Sequence, residues 1–406
     1  MDIGTSGIEK IKDRALSLAE EMTRLRRGIH ENPELSWQEF ATSRLIASKL
    51  EELGLEPRIG VGDLPVGVTA DLEGGAPGPC AALRADIDAL AITEENNVPY
   101  KSCKSGAMHA CGHDGHIVIL LAAAKILSEM KESLPGRVRF IFQPAEEHGH
   151  RSGARGMIND GVLEGVSSIA GLHLWSDIPA GKVQWKAGPL MASSDAWKVV
   201  FKGKGGHGAM PHLAVDATLA AAAFIFALQT LVSRETDPLE TIVASVGKLE
   251  AGQVINIIPE SAEMSGNVRT FNRTIRDSVE ERFRRLAEGV GATYRCGAQV
   301  RYDGVYPYPV VNDGALTNLF RSTAARVVGE ENLREAAPRM TSEDFSFYQA
   351  KIPGCFFFLG SGSEEKKSTV PHHSPHFDID DDVLPTGAAL MASFACAMLG
   401  RQRFSE

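Results

Sequence analysis

The chain has 406 residues, 43% of them apolar and 23% charged, which is ordinary for a globular protein and enough for two or three domains. Its formal net charge of −10 gives no basic excess for a nucleic acid or an anionic membrane surface to engage, so neither partner is expected. Six unevenly spaced cysteines do not form a disulfide framework, which points to a reducing, cytoplasmic setting.

Residues 1–16 carry Glu9, Lys10, Lys12, Asp13 and Arg14 and no apolar core, unlike a signal peptide. The rough stripe of Ile11, Leu16, Leu18, Met22 and Leu25 predicts a helix over 8–29. His30-Glu31-Asn32-Pro33-Glu34 breaks it, and a second helix is expected over 37–53, stopped by Gly54. Strands are expected over 65–72 and 80–90, around a Gly/Pro-rich turn at 73–78. The second strand ends in Arg84-Ala85-Asp86-Ile87-Asp88, with Asp86 and Asp88 on one face. Two acids at the end of an apolar strand are costly unless paired or near a metal. Asp88 suits the acceptor that fixes the tautomer of a ligating histidine, against the plainer reading of a solvated strand end.

Met108-His109-Ala110-Cys111-Gly112-His113-Asp114-Gly115-His116 packs one cysteine, three histidines and an acid into nine positions. It precedes an apolar run and reads as a loop that delivers metal ligands and then enters a buried helix over 115–131. Cys111 alone would read as a small buried apolar residue. With His113 two positions on, thiolate and imidazole suit zinc or another late divalent ion.

A strand over 137–142 leads into Gln143-Pro144-Ala145-Glu146-Glu147. Neighbours cannot face one point in a helix or strand, but a turn can aim them separately. One carboxylate can then bind metal while the other serves as general base. A helix is expected over 153–163, and a strand over 168–174 ends in His173. Strand ends offering Asp, Glu and His match the place where sites form in α/β sheets. The fold class expected is α/β: a mixed, mostly parallel sheet with helices on both faces.

Near Gly188-Pro189 the pattern changes. Strands over 197–202, 242–249, 262–270 and 293–301 and helices over 214–233 and 275–290 give the βαββαβ order of a ferredoxin-like unit inserted in the first domain. The expected division is 1–190 and 304–406 for one domain and 191–303 for the insert. The insert carries Gly203-Lys204-Gly205-Gly206-His207-Gly208, which lacks the spacing of a phosphate-binding loop. Asn256 and Arg269 could bind a carboxylate or an oxyanion. The last segment adds a helix over 314–328, a strand over 355–359, the histidine-rich His372-His373-Ser374-Pro375-His376, and a helix over 385–399. The longest apolar run, 217–228, is too short to span a bilayer.

These blocks resemble the aminoacylase and hippurate hydrolase family of metallopeptidases, most of all the amidohydrolase branch that includes hippuricases and hydrolases of auxin–amino-acid conjugates. The likeness runs from His30-Glu31-Asn32-Pro33-Glu34 to His373-Ser374-Pro375, nearly the whole chain. It departs at Ala91, where the branch often has proline. The resemblance implies a di-metal domain and a smaller lid that often dimerises. Carried over by motif, Cys111, His113, Glu147, His173 and His373 hold two divalent ions (Zn, Mn, Ni or Co). Glu146 is the general base, with Asp88 beside it in the catalytic set. His207, Asn256 and Arg269 bind the substrate, a small-molecule N-acyl amino acid, and a homodimer through the lid is implied. A dipeptide-cleaving metallo-exopeptidase on the same scaffold is the alternative.

Overall fold

The computed structural model describes residues 4–400. Two compact units emerge: one of residues 4–188, 311–337 and 344–400, the other of Pro189–Val310 and Pro338–Glu343.

The first unit is built on an eight-stranded sheet. Its spatial order is Arg58–Val61, Leu64–Glu73, Pro135–Gln143, Ala76–Asp86, Val166–Pro179, Gly354–Gly362, Val183–Trp185, Leu333–Glu335. The strands from Pro135–Gln143 through Gly354–Gly362 run parallel, while Arg58–Val61 and Leu64–Glu73 form an antiparallel edge. Every residue of Gly354–Gly362 is buried, so both faces of that central strand are covered. The helices His113–Glu129 and Leu384–Gly400 pack on each other and are apolar almost all round, because both lie inside the core. The segment Asp381–Gly400 is long and apolar enough to cross a bilayer, but 83% of its apolar window is buried within the unit.

Several elements differ from expectation. The helix expected over 8–29 is two, Gly4–Ser17 and Ala19–Glu31, parted at Leu18, whose N–H turns back to the Ala15 carbonyl. The strand expected to reach residue 90 ends at Asp86. Asp86 and Asp88 therefore do not share a strand face; each is drawn to its own partners. The ligand-bearing helix begins at His113, two residues early, behind Gly112 at φ 87°, a left-handed position suited to glycine. Asp114 is no simple cap. It is fully buried and ion-paired to the buried Arg26, Nε to Oδ2 2.8 Å, and to His30 Nδ1 at 2.7 Å. That pairing ties the helix Ala19–Glu31 to the residue beside His113.

The second unit has four antiparallel strands in the order Ile242–Ala251, Ser261–Thr270, Ser193–Lys202, Gly297–Tyr306. With the helices Ala217–Ser233 and Arg273–Thr293 between them in sequence, this is the ferredoxin-like arrangement. The last helix runs to Thr293, where a strand was expected to begin, and the strand starts at Gly297 after a left-handed Arg295. Trp197, Phe201, Phe224 and Phe283 fill its core.

Arg26 also reaches Asp378 at 2.8 Å and Asp381 at 3.5 Å, so its removal takes a countercharge from three acids. Arg26→Met is expected to cost about 3–5 kcal/mol of unfolding free energy, the scale for breaking a buried pair. Urea unfolding of the metal-free protein measures it, and a loss under about 1 kcal/mol would show that the buried charges find other partners.

Candidate active site

The ends of the parallel strands and the start of helix His113–Glu129 bring the sequence-expected residues of the first unit together. Ligating atoms of Cys111, His113 and His173 lie within 4.8 Å of one another, as do those of Cys111, Glu147 and His373, and those of His113, Glu146 and Glu147. Cys111 belongs to two of these groups, which places its sulfur between two clusters. Cys111 Sγ is 3.5 Å from His173 Nε2, and Glu147 Oε1 is 3.1 Å from His373 Nε2.

Backbone partners fix the histidine tautomers. His173 Nδ1 faces the Leu174 carbonyl at 2.6 Å and must donate to it, so Nε2 keeps its lone pair toward Cys111. His113 Nδ1 faces the Asp88 carbonyl at 2.9 Å and Asp88 Oδ1 at 3.2 Å, and donates there. Its Nε2 is buried with no hydrogen-bond partner, and Asp86 Oδ1 stands off at 3.7 Å. A buried nitrogen without a hydrogen-bond partner, beside a thiol and carboxylates, fits the donor chemistry of a metal site.

The electrostatics agree. Burial opposes charge on His113, but Asp86 and Asp88 outweigh it and raise it to about 10. Burial, then Glu147, Glu146 and Asp86, push the Cys111 thiol well above its ordinary range. Burial and the imidazoles of His116 and His372 hold His173 neutral, the ligating form. The pocket is thus short of positive charge, which divalent ions would supply.

Glu146 is buried and accepts the Asp344 N–H at 3.3 Å, while Asp88 Oδ2 accepts the Glu147 N–H at 3.0 Å. The adjacent acids therefore serve different neighbours. His373 and Ala145 both have left-handed backbones, φ 62° and 53°, a strain that recurs where side chains must be aimed.

The three remaining residues lie in the second unit. His207 is exposed in a two-residue ladder with Ile257–Ile258, next to Asn256, whose carbonyl accepts the Gly208 N–H at 2.9 Å. His207 Nδ1 accepts the Ala209 N–H at 3.0 Å, so Nε2 carries the proton outward as a donor. Arg269 is half-buried on Ser261–Thr270, hydrogen-bonded to the Met340 carbonyl at 2.7 Å.

A match to the model of peptidase family M20/M25/M40 covers residues 82–397. The chain belongs to that family. It is a hydrolase of amide bonds. It is 39% identical over 96% of its length to thermostable carboxypeptidase 2 of Saccharolobus solfataricus, spanning 98% of that protein. It is 42% identical over 92% of its length to the N-acetylcysteine deacetylase of Bacillus subtilis, spanning 96% of it. The crystal structure of Bacillus subtilis YXEP protein, described as a dinuclear metal binding peptidase, superposes with a TM-score of 0.82 at 38% identity, over 94% of this chain and 98% of that one.

Two histidines had no assigned role. His116 Nε2 accepts the Leu174 N–H at 2.9 Å, so its Nδ1 donates to Asp86 Oδ1 at 2.6 Å. His372 Nε2 donates to the Leu174 carbonyl at 3.0 Å. The spacing of three between His113 and His116 puts both on one helix face, the sequence signal that could have found the first. His372 has only its neighbour His373 to mark it.

Asp88→Ala is expected to weaken zinc binding about 10–100-fold by releasing the His113 ring. Competition with a chromophoric chelator reads the affinity, and an unchanged value would remove Asp88 from the support of the site.

Proposed function

We propose that the chain hydrolyses N-acyl amino acids to a carboxylic acid and a free amino acid, in a reducing cytoplasm. Cys111, His113, Glu147, His173 and His373 would hold two divalent ions, zinc, manganese, nickel or cobalt. The observation that carries the reading is the paired donor set sharing Cys111 around the orphaned His113 Nε2. Ions so held supply Lewis acidity and a lowered pKa for water.

Glu146, poised against the Asp344 amide, takes the proton as water oxygen bonds to the acyl carbon. It returns that proton to the nitrogen as the C–N bond breaks. Asp88 keeps His113 in its ligating tautomer. His207 offers its Nε2–H to the developing oxyanion, with Asn256 beside it. Arg269 has no carboxylate beside it among the described residues and donates to neutral oxygens, the Met340 carbonyl and Ser342 Oγ, so its charge would be answered by the substrate's carboxylate. The relative named as a deacetylase of N-acetylcysteine supports this substrate class. The relative named as a carboxypeptidase supports the second reading, a metallo-exopeptidase using the same groups.

Turnover of N-acetyl, N-benzoyl and indole-acetyl amino acids against dipeptides tests the choice; faster cleavage of dipeptides throughout would favour the exopeptidase. Glu146→Gln is expected to keep its metal, measured by elemental analysis, and to lose about 10²–10⁴ in kcat. Glu147→Gln should lose metal as well. Wild-type kcat in Glu146→Gln would overturn the mechanism.

The second unit presents Leu219 and Phe226, 56% and 80% exposed, along helix Ala217–Ser233, and an edge strand, Ile242–Ala251. These support a homodimer through that unit. Mixing His207→Ala with Glu146→Gln checks whether the donor serves the partner's site. Recovered activity in mixed dimers supports service in trans; none, despite demonstrated subunit exchange, confines it to one chain.

A further inference from the structure

The turn that bears Glu146 and Glu147 does not hold its shape unaided. Ala145, fully buried, sits at φ 53°, where a side chain crowds the backbone. Pro144 before it is hemmed in by two glycines. A Cβ at Gly153 would lie 1.9 Å from the Pro144 carbonyl oxygen, and one at Gly67 would lie 2.7 Å from Pro144 Cδ. Four consecutive residues, Ser36-Trp37-Gln38-Glu39, close on this turn from outside. Glu39 is fully buried, and its Oε1 accepts the Ala145 N–H at 2.8 Å. Ser36 Oγ donates at 2.7 Å to Asp88 Oδ2, the atom that also takes the Glu147 N–H. Trp37, itself left-handed at φ 67°, donates from Nε1 to the Arg151 carbonyl at 2.8 Å, just beyond the acids.

We propose that Glu39 is a positioning residue for amide hydrolysis. Its carboxyl group holds Ala145 in the left-handed conformation, and that conformation sends Glu146 and Glu147 to different targets. The inference rests on the roles proposed above for those two acids. Glu39 touches neither of them and acts through one backbone amide. Its other oxygen, Oε2, is buried without a hydrogen-bond partner, and burial together with the nearby Asp88 raises the pKa of the group to about 8, so it stands there mainly as a hydrogen-bond acceptor. Without the clamp, Ala145 would relax toward negative φ and swing both side chains away together.

The test compares Glu39→Gln, Glu39→Asp and Glu39→Ala, each with and without Ala145→Gly, in the full-length metal-loaded chain. Glutamine keeps the accepting oxygen at the same reach; aspartate keeps the charge but falls one methylene short. Each variant is scored as a ratio to wild type on whichever amide the wild type cleaves. A wrong substrate class therefore changes the substrate and leaves the ratios intact. We expect Glu39→Gln to stay within about threefold of wild-type kcat, and Glu39→Asp and Glu39→Ala to fall about a hundredfold, the scale of a misplaced catalytic group. KM should change little, whereas metal content should fall along with kcat in the Asp and Ala variants and be kept in the Gln variant, because Glu147 swings with Glu146. Ala145→Gly should restore roughly tenfold of that loss, because glycine takes positive φ without help. Hydrogen exchange in metal-free protein, which needs no substrate, should quicken at the Ala145 amide in the Asp and Ala variants and not in the Gln variant. If Glu39→Ala fails to fold, the ranking of Gln against Asp decides. Asp retaining more activity than Gln would overturn the proposal in favour of a charge effect. So would losses that follow melting temperature and ignore Ala145→Gly.

Discussion

One buried guanidinium sets the frame of the catalytic unit. Arg84 is about 1% exposed, and it donates to Asp86 at 2.6 Å, Asp344 at 2.7 Å and Gln143 at 2.9 Å. Gln143 and Ser152 each donate to the second oxygen of Asp344 at 2.7 Å. Placing a cation and two carboxylates out of water is expensive, and only near-complete hydrogen bonding makes it tolerable. What the arrangement gives in return is definition. Two strand ends and the segment after residue 343 can meet in one way that leaves these charges paired. From Asp86 the bonding continues through His116 to Leu174; from Asp344 it reaches Glu146. The groups around the proposed metal centre are thus ordered from behind, by charges that never touch the substrate.

The face turned toward the chemistry has the opposite character. Behind it Asp86 and Asp344 are paired with Arg84; in front of it, Cys111, Glu146 and Glu147 crowd together with an orphaned imidazole nitrogen. Burial magnifies each unscreened interaction there. Burial and those acids favour the neutral thiol of Cys111, and, against burial, Asp86 and Asp88 favour the charged imidazole of His113. Taking up divalent ions from that state releases protons, which couples occupancy of the site to pH.

Much of this was legible in the chain, for reasons that differ by residue. Cys111 and His113 declare themselves because a ligand pair two apart is a local pattern, and Glu146-Glu147 because adjacent acids after an apolar strand are unusual. His173 was readable as the end of a third strand. The early end of the strand at Asp86 was not readable, since it depends on a contact far away in sequence. Ile87 makes the last ladder bond, and Ala89 then leaves the sheet to donate its N–H to the Glu34 carbonyl at 2.8 Å. Arg84, Asp344 and Glu39 were hidden for the same reason: each has partners tens to hundreds of residues off, and a lone charged residue carries no sequence signature of a distant partner.

Leu174 carries a consequence of another kind. Its N–H binds His116, and its carbonyl receives both His173 and His372. Three imidazoles thus take their orientation from the backbone of a single residue, whose atoms are common to every amino acid but one. The apolar side chain could be exchanged for another of similar bulk and the three rings would still find their bonds. Proline alone would erase the donor. A catalogue of essential residues drawn up by comparing side chains would pass over position 174, yet few positions fix more of the site's geometry.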